Sequence, residues 1–248
     1  MAFTLAFVAL WTAYSVLSRT NLDINSDMVE NYAWSREWQL GYFKHPPFFA
    51  WVVAAWFKVF PTEDWAYYLL SFVNVAIGFA GIWALIGLFD RSPRRFAAIV
   101  AMSLTPFYTF SAIKFNANTI LLSVWPWLAW ATIAALRDAR FAHAIAAGAL
   151  AAIAMLSKYV SAVMLATLLV ASFTIPGWQA VYRSRRFPAV VVAFFVVLAP
   201  HLVWLHQTGY TTFSYVDTNK ADSLGRLVRS SFNFVAAQLL WLTPMLVI

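Results

Sequence analysis

The sequence predicts an all-α protein: a polytopic transmembrane bundle of about eight spanning helices, with an external loop that carries interfacial helices. Three observations predict it. Of the 248 residues, 62% are hydrophobic and 11% charged, against roughly 25% charged in a soluble domain. The apolar residues gather in long runs, several reaching the ~18–20 residues that cross ~30 Å of hydrocarbon as helix. The arginines gather in short connections that alternate with connections lacking them.

The first run, Phe3–Leu17, lacks the basic flank of a signal peptide and reads as an uncleaved first helix. A loop from residue 19 to 64 follows. Within it, Pro46–Phe60 is apolar but short for a span, and its paired prolines suit the start of an interfacial or re-entrant helix. The remaining runs are Trp65–Phe89, Phe96–Ile113, Thr119–Leu136, Ala142–Leu156, Val160–Ile175, Phe187–Leu205 and Phe232–Ile248. The short ones are bounded by single charges that can snorkel. Positive charge is dense in Asp90–Arg95, Arg137–His143 and Gly177–Arg186. Short Lys/Arg-rich loops stay cytoplasmic, so these connections and the N-terminus are expected inside. Lys114–Asn118, Ser157–Tyr159 and His206–Ser231 alternate with them and are expected outside, together with the whole first loop. That places a multi-pass protein in the plasma (inner) membrane, its polar loops facing away from the cytoplasm. Residues 1–248 read as one transmembrane domain. The chain stops at Leu246-Val247-Ile248 inside an apolar run without an anchor, so an N-terminal portion of a longer protein is expected.

Other features narrow the chemistry. There are no cysteines, which excludes disulfides and thiolate metal sites. The net charge of +7 belongs to membrane-flanking loops, and no Lys/Arg run argues for nucleic acid. A glycine-rich phosphate loop is also missing.

The first external loop carries the candidate chemistry. Asp27 and Glu30 stand three residues apart, which puts them on one face of a helix; Ser26 or Asp27 is equally suited to cap that helix. Lys44 and His45 follow where the chain re-enters the membrane surface at Pro46-Pro47. Acidic groups beside cations at a membrane suit a base acting on a substrate whose leaving group is anionic. The competing reading is a solvated amphipathic loop.

The pattern is more specific than its composition. An acidic motif after the first membrane helix is followed by Tyr42-Phe43-Lys44-His45-Pro46-Pro47 opening a helix. Lys114-Phe115-Asn116-Ala117-Asn118-Thr119, Leu156-Ser157-Lys158-Tyr159 and Pro200-His201-Leu202-Val203-Trp204 follow in order. This arrangement resembles the polytopic glycosyltransferases of family 39, the protein-mannosyltransferase and aminoarabinose-transferase group with the GT-C fold. The resemblance implies that Asp27 is the catalytic base. The chain departs from the family pattern twice: Lys44 stands where relatives often carry an acid, and Asn118 where many carry an aspartate. Both departures remove negative charge from a family-type metal site, so a metal or other cofactor is left unassigned.

The implied reaction moves a sugar from a polyprenyl phosphate, which lives in the bilayer, to a lipid, glycan or protein acceptor outside the cytoplasm. Asp27 takes the acceptor proton with Glu30 beside it, a contribution of typically 10²–10⁴-fold. Inversion is expected, because one direct displacement needs one base. The phosphate leaves as a stable anion and asks for cations, for which Lys44, His45, Lys114 and Lys158 are candidates. Lys158, between two apolar helices, is costly unless used or paired. Lys114 is equally placed to snorkel, and His45 to satisfy a backbone carbonyl. Asn116, Asn118, Tyr159 and Tyr215 are candidates for substrate contact, although the asparagines also suit the cap of the following helix. His201 reads as a membrane-interface residue, and the many Trp and Phe as lipid-facing. A non-catalytic lipid-linked-sugar flippase or transporter is the alternative, but it would carry polar groups near the bilayer midplane.

Overall fold

A computed structural model describes residues 1–19, 22, 27–138, 140–218 and 224–243, without the side chains of 215–218, 224, 227 and 242. The described residues form helices and no strand. In chain order the helices are α1 (Ala2–Ser18), α2 (Asp27–Ser35), α3 (Phe48–Trp56), α4 (Asp64–Ile86), α5 (Arg94–Ser103), a 3₁₀ turn (Phe110–Ile113), α6 (Leu121–Arg137), α7 (Phe141–Ser157), α8 (Ser161–Ser172), α9 (Trp178–Tyr182), α10 (Arg186–Gln207), α11 (Thr211–Thr218) and α12 (Leu224–Leu242). Among them α4 and α10 are long and apolar enough to cross a membrane, while α1, α6, α7 and α8 are shorter apolar helices.

Small residues set the packing. α4 lies between α1 and α6, and α7 between α6 and α10. A Cβ on Gly78 would stand 2.3 Å from the Leu122 carbonyl oxygen, and one on Gly148 2.1 Å from that of Val190. Both helix pairs therefore meet backbone to backbone, the contact by which apolar helices associate where water supplies no driving force. Gly148→Leu is expected to force α7 and α10 apart and destabilise the protein by about 3 kcal/mol. Thermal unfolding in detergent reads this directly, and an unchanged melting temperature would contradict the packing.

Two sequence expectations meet different outcomes. α3 has nine residues, about 14 Å of helix, too short to cross alone, as Pro46–Phe60 suggested. Phe96–Ile113, expected as one continuous span, is broken: α5 ends at Ser103 and turns around Pro106 lead to the 3₁₀ turn. Pro106 has no N–H to donate and disfavours a helical Thr105 before it, which favours the break seen here, although α6 and α10 run through Pro126 and Pro200.

The bundle has two chemically different ends. At one, Arg137 donates to the Leu88 carbonyl, Arg186 donates to the Asp138 carbonyl at 3.0 Å, and Phe3 meets Phe96 with centroids 5.5 Å apart. At the other lie α2, the 114–119 loop, Lys158 and His201. α1, α4, the broken Arg94–Lys114 segment, α6, α7, α8 and α10 run between these ends in alternating directions. The arginines Arg137 and Arg186 thus lie at the end away from Asp27 and its lysines.

Candidate active site

The site is assembled by polar groups of α2 and α4 that hold the loop before α6. Asn31 donates Nδ2–H to the Phe115 carbonyl at 2.8 Å, Ser71 donates to the Ile113 carbonyl at 2.9 Å, and Asn74 donates to the Thr119 carbonyl at 2.8 Å. These side chains are buried, and an unmet polar group there would cost about 1–3 kcal/mol. They meet the backbone of an irregular segment, which needs partners for its own carbonyls. Tyr67 ties α4 to α2 through the Met28 carbonyl at 3.1 Å. Within the loop, Asn116 Oδ1 accepts the N–H groups of Asn118 and Thr119 at 2.9 and 3.0 Å, and Thr119 Oγ1 donates to the Lys114 carbonyl at 2.9 Å. Asn116 thus closes a turn of the loop rather than capping α6, whose N-cap is Ile120 with no side-chain cap bond, and the side chain has a second task.

That task concerns Asp27. Its Oδ2 accepts from Lys114 Nζ and from Asn116 Nδ2, both at 2.9 Å. Its Oδ1 has no hydrogen bond among the described residues. Burial pushes the carboxyl pKa up, but the Lys114 and Asn116 hydrogen bonds and the charges of Lys114 and Lys44 outweigh it and hold the group below its ordinary 3.8. Asp27 is ionised at neutral pH. One helical turn on, Glu30 pairs with Lys44 at 2.8 Å, and the two carboxylates so divide two lysines between them.

Lys158 is differently placed. It lies between α7 and α8 and donates to Asn118 Oδ1, and no ion pair among the described residues includes it. Burial lowers its pKa, and the charge of Asp27 opposes that shift. Burial also lowers His45 to about 4, with the positive charges of Lys158 and Lys44 adding to the effect. His45 is therefore a neutral imidazole at pH 7 rather than one of the expected cations. It packs edge-on against Trp34 and Phe49. Tyr159 Oη is 2.7 Å from His201 Nε2, and burial raises its pKa to about 12. The side chain of Tyr215 lies outside the described residues, as does Ser26.

His201, expected as a membrane-interface residue, is instead buried beside Tyr159 and the segment leading to Lys44. It is 1% exposed, stacks on Trp204, and places Nδ1 2.6 Å from the Leu40 carbonyl oxygen. Beside it, Trp204 covers Gly41 so closely that a Cβ there would stand 2.3 Å from the ring. Thr212 donates to the Tyr42 carbonyl at 3.0 Å. α10 and α11 thus clamp the segment that leads into Lys44 and His45. A histidine directly after a helix proline, in an otherwise apolar run, was the available signal. The indole N–H groups of Trp51, Trp56 and Trp127 donate to the carbonyls of Gln39, Ala66 and Ile77.

Among the described residues no three His, Asp or Glu side chains converge to hold a metal. The family model for dolichyl-phosphate-mannose-protein mannosyltransferases matches residues 44–204, well over half of the chain. The chain belongs to this family. Membership makes it a membrane glycosyltransferase, in keeping with its apolar helices. The matched segment takes in Lys44, His45, the 114–119 loop, Lys158, Tyr159 and His201, but begins after Asp27 and Glu30. Those two acids join the site through Lys114 and Lys44, which the match does cover. No curated protein and no solved structure matches the chain.

Proposed function

We propose that the chain transfers a sugar from a polyprenyl-phosphate donor to an acceptor hydroxyl on the extracytoplasmic side, by one inverting displacement. The acceptor oxygen forms the new bond to the anomeric carbon as the carbon–phosphate oxygen bond breaks. The acceptor proton passes to Asp27 Oδ1, and the phosphate leaves with the electron pair. The observation that carries this reading is the asymmetry of Asp27: Oδ2 is engaged by Lys114 and Asn116, while Oδ1 has no hydrogen bond among the described residues. Lys158, without a carboxylate partner among the described residues, is the cation available to the departing phosphate. Lys44 and Lys114 act mainly by holding Glu30 and Asp27, and neutral His45 offers phosphate one N–H donor. Asn118 positions Lys158, and Tyr159 and Tyr215 serve the acceptor side. The lipid-linked-sugar transporter is less well supported, since the polar groups gather at the bundle ends rather than half-way along it. The direct test incubates the purified protein with several polyprenyl-phosphate sugars and follows released polyprenyl phosphate and the anomeric configuration of the product. Release without transfer, or retention of configuration, would overturn the mechanism.

The proposed topology has about eight crossings with the broken Arg94–Lys114 segment as one of them, and the arginine end in the cytoplasm. Because the chain has no cysteine, single cysteines at positions 36, 94 and 185 can be probed with an impermeant thiol reagent in intact cells. Position 36 is expected to label from outside and the other two only after lysis. The opposite pattern would place the site in the cytoplasm.

A further inference from the structure

A second recess lies at the arginine end of the bundle, away from Asp27 and its lysines. It has a volume of about 880 Å³ and opens between the ends of α6, α8, α9 and α10, within the ~300–1,000 Å³ usual for small-ligand sites. Arg137 and Arg186 line it together with apolar groups such as Ile133, Leu168 and Ile175. Arg137 is seated on the Phe89 ring, its guanidinium carbon 5.2 Å from the centroid, and donates to the Leu88 carbonyl. Arg186 donates to the Asp138 carbonyl at 3.0 Å and to Ser184 Oγ at 3.2 Å. Neither arginine is in an ion pair among the described residues; the nearby Asp138 carboxylate faces His143 at 3.4 Å instead. Both guanidinium groups are thus held in place by neutral acceptors, with charge uncompensated and N–H donors to spare.

The recess continues inward as a smaller cavity of about 160 Å³. The two share Thr132, Leu136, Leu168 and Val181. The inner part runs between Ala147, Ala151, Leu165 and Val190. A charged mouth with an apolar extension suits one chemistry: an anionic headgroup carrying a hydrocarbon chain. A free anion would leave the apolar walls wetted, and a neutral lipid would leave both arginines unmatched. We infer that this recess binds an anionic phospholipid, its phosphodiester between Arg137 and Arg186 and one acyl chain along α6 and α8. The bilayer supplies such a lipid at the depth where helix ends and basic loops lie, and each nearby arginine strengthens the attraction by about 1 kcal/mol.

The test uses the full chain in detergent, reconstituted with equal phosphatidylglycerol and phosphatidylcholine, and native mass spectrometry of the lipid it retains. Wild type is expected to favour phosphatidylglycerol by about 30-fold, the product of two such contributions. The pair Arg137→Gln and Arg186→Gln should abolish that preference, whereas Arg137→Lys with Arg186→Lys should keep most of it. Ala171→Trp, which fills the recess and leaves both arginines in place, should lose the lipid without losing charge. Equal retention of the two lipids, or a preference that survives the glutamine pair, would overturn the inference. So would displacement of phosphatidylglycerol by millimolar inorganic phosphate, which would mark a site for free anions.

Discussion

Asp27→Asn is expected to lower turnover by about 10²–10⁴-fold while donor affinity holds or improves. Asparagine keeps the shape of the side chain and an oxygen that Lys114 and Asn116 can still reach. It loses the proton acceptor on the open side of the group. It also removes the negative charge that Lys114 and Lys158 feel, so the cluster becomes more positive and more attractive to a phosphate. The fold should tolerate this well. The Asp27–Lys114 pair is about one-third exposed on both sides, and such partly hydrated pairs are worth about 1 kcal/mol or less. Single-turnover rates and donor binding on the same preparation separate the accounts. Near-normal turnover would remove Asp27 as base and leave Glu30 as the leading candidate. Parallel loss of binding, turnover and melting temperature would make Asp27 a structural residue. The pH profile adds a check: Lys114 and Asn116 hold the carboxyl below its ordinary 3.8, so the acid limb of activity should lie at lower pH than an ordinary aspartate would give.

Lys158→Met is expected to weaken the donor complex by about 10- to 100-fold, the loss of a charge-assisted hydrogen bond of about 1.5–3 kcal/mol. The melting temperature should stay level or rise. Burial already disfavours the Lys158 cation, and methionine keeps much of the apolar stem. Lys158→Arg should retain part of the activity, because the charge survives while its geometry changes. A sharp fall in melting temperature at unchanged donor affinity would reject the phosphate role. It would mean instead that Asn118, whose Oδ1 accepts from Lys158, depends on that donor to hold the loop before α6.

What could be read from sequence divides along the range of the forces involved. The all-helical class and a short apolar helix within Pro46–Phe60 follow from local apolarity and proline, which are properties of neighbouring residues. Asp27, Glu30, Lys114 and Lys158 could be chosen by residue type, because ionisable groups at the edge of apolar runs are expensive. Their partners could not. Asp27 meets Lys114 across 87 positions of chain, and whether a lysine there snorkels or pairs depends on how α2 sits over the loop. Glu30 and Lys44 engage one another, and among the described residues that leaves Lys158 as the site's lysine without a carboxylate partner. The same limit applies to His201, whose neighbours Leu40 and Tyr159 are 161 and 42 positions away. Hydropathy also overstated Phe96–Ile113: it registers apolar side chains but not the amide that Pro106 lacks. The neutral state of His45 depends on burial and on two lysine charges that the fold brings near it.

The clamp on the first loop bears on the order in which the protein matures. Lys44 and His45 are made early, yet the backbone leading to them is held by His201, Trp204 and Thr212, which leave the ribosome more than 150 residues later. Synthesis runs from the N-terminus at about 5–20 residues per second, so for roughly ten seconds or more the early helices are present without the residues that set this loop. During that interval α2 and α3 have their own contacts, and Trp51 and Tyr42 hold the flanks of the segment, but the bonds from α10 and α11 to Leu40 and Tyr42 are still missing. A nascent chain halted before α10 would therefore sit in the bilayer with the proposed donor site unfinished, and on that reading transfer would have to wait until insertion was nearly complete.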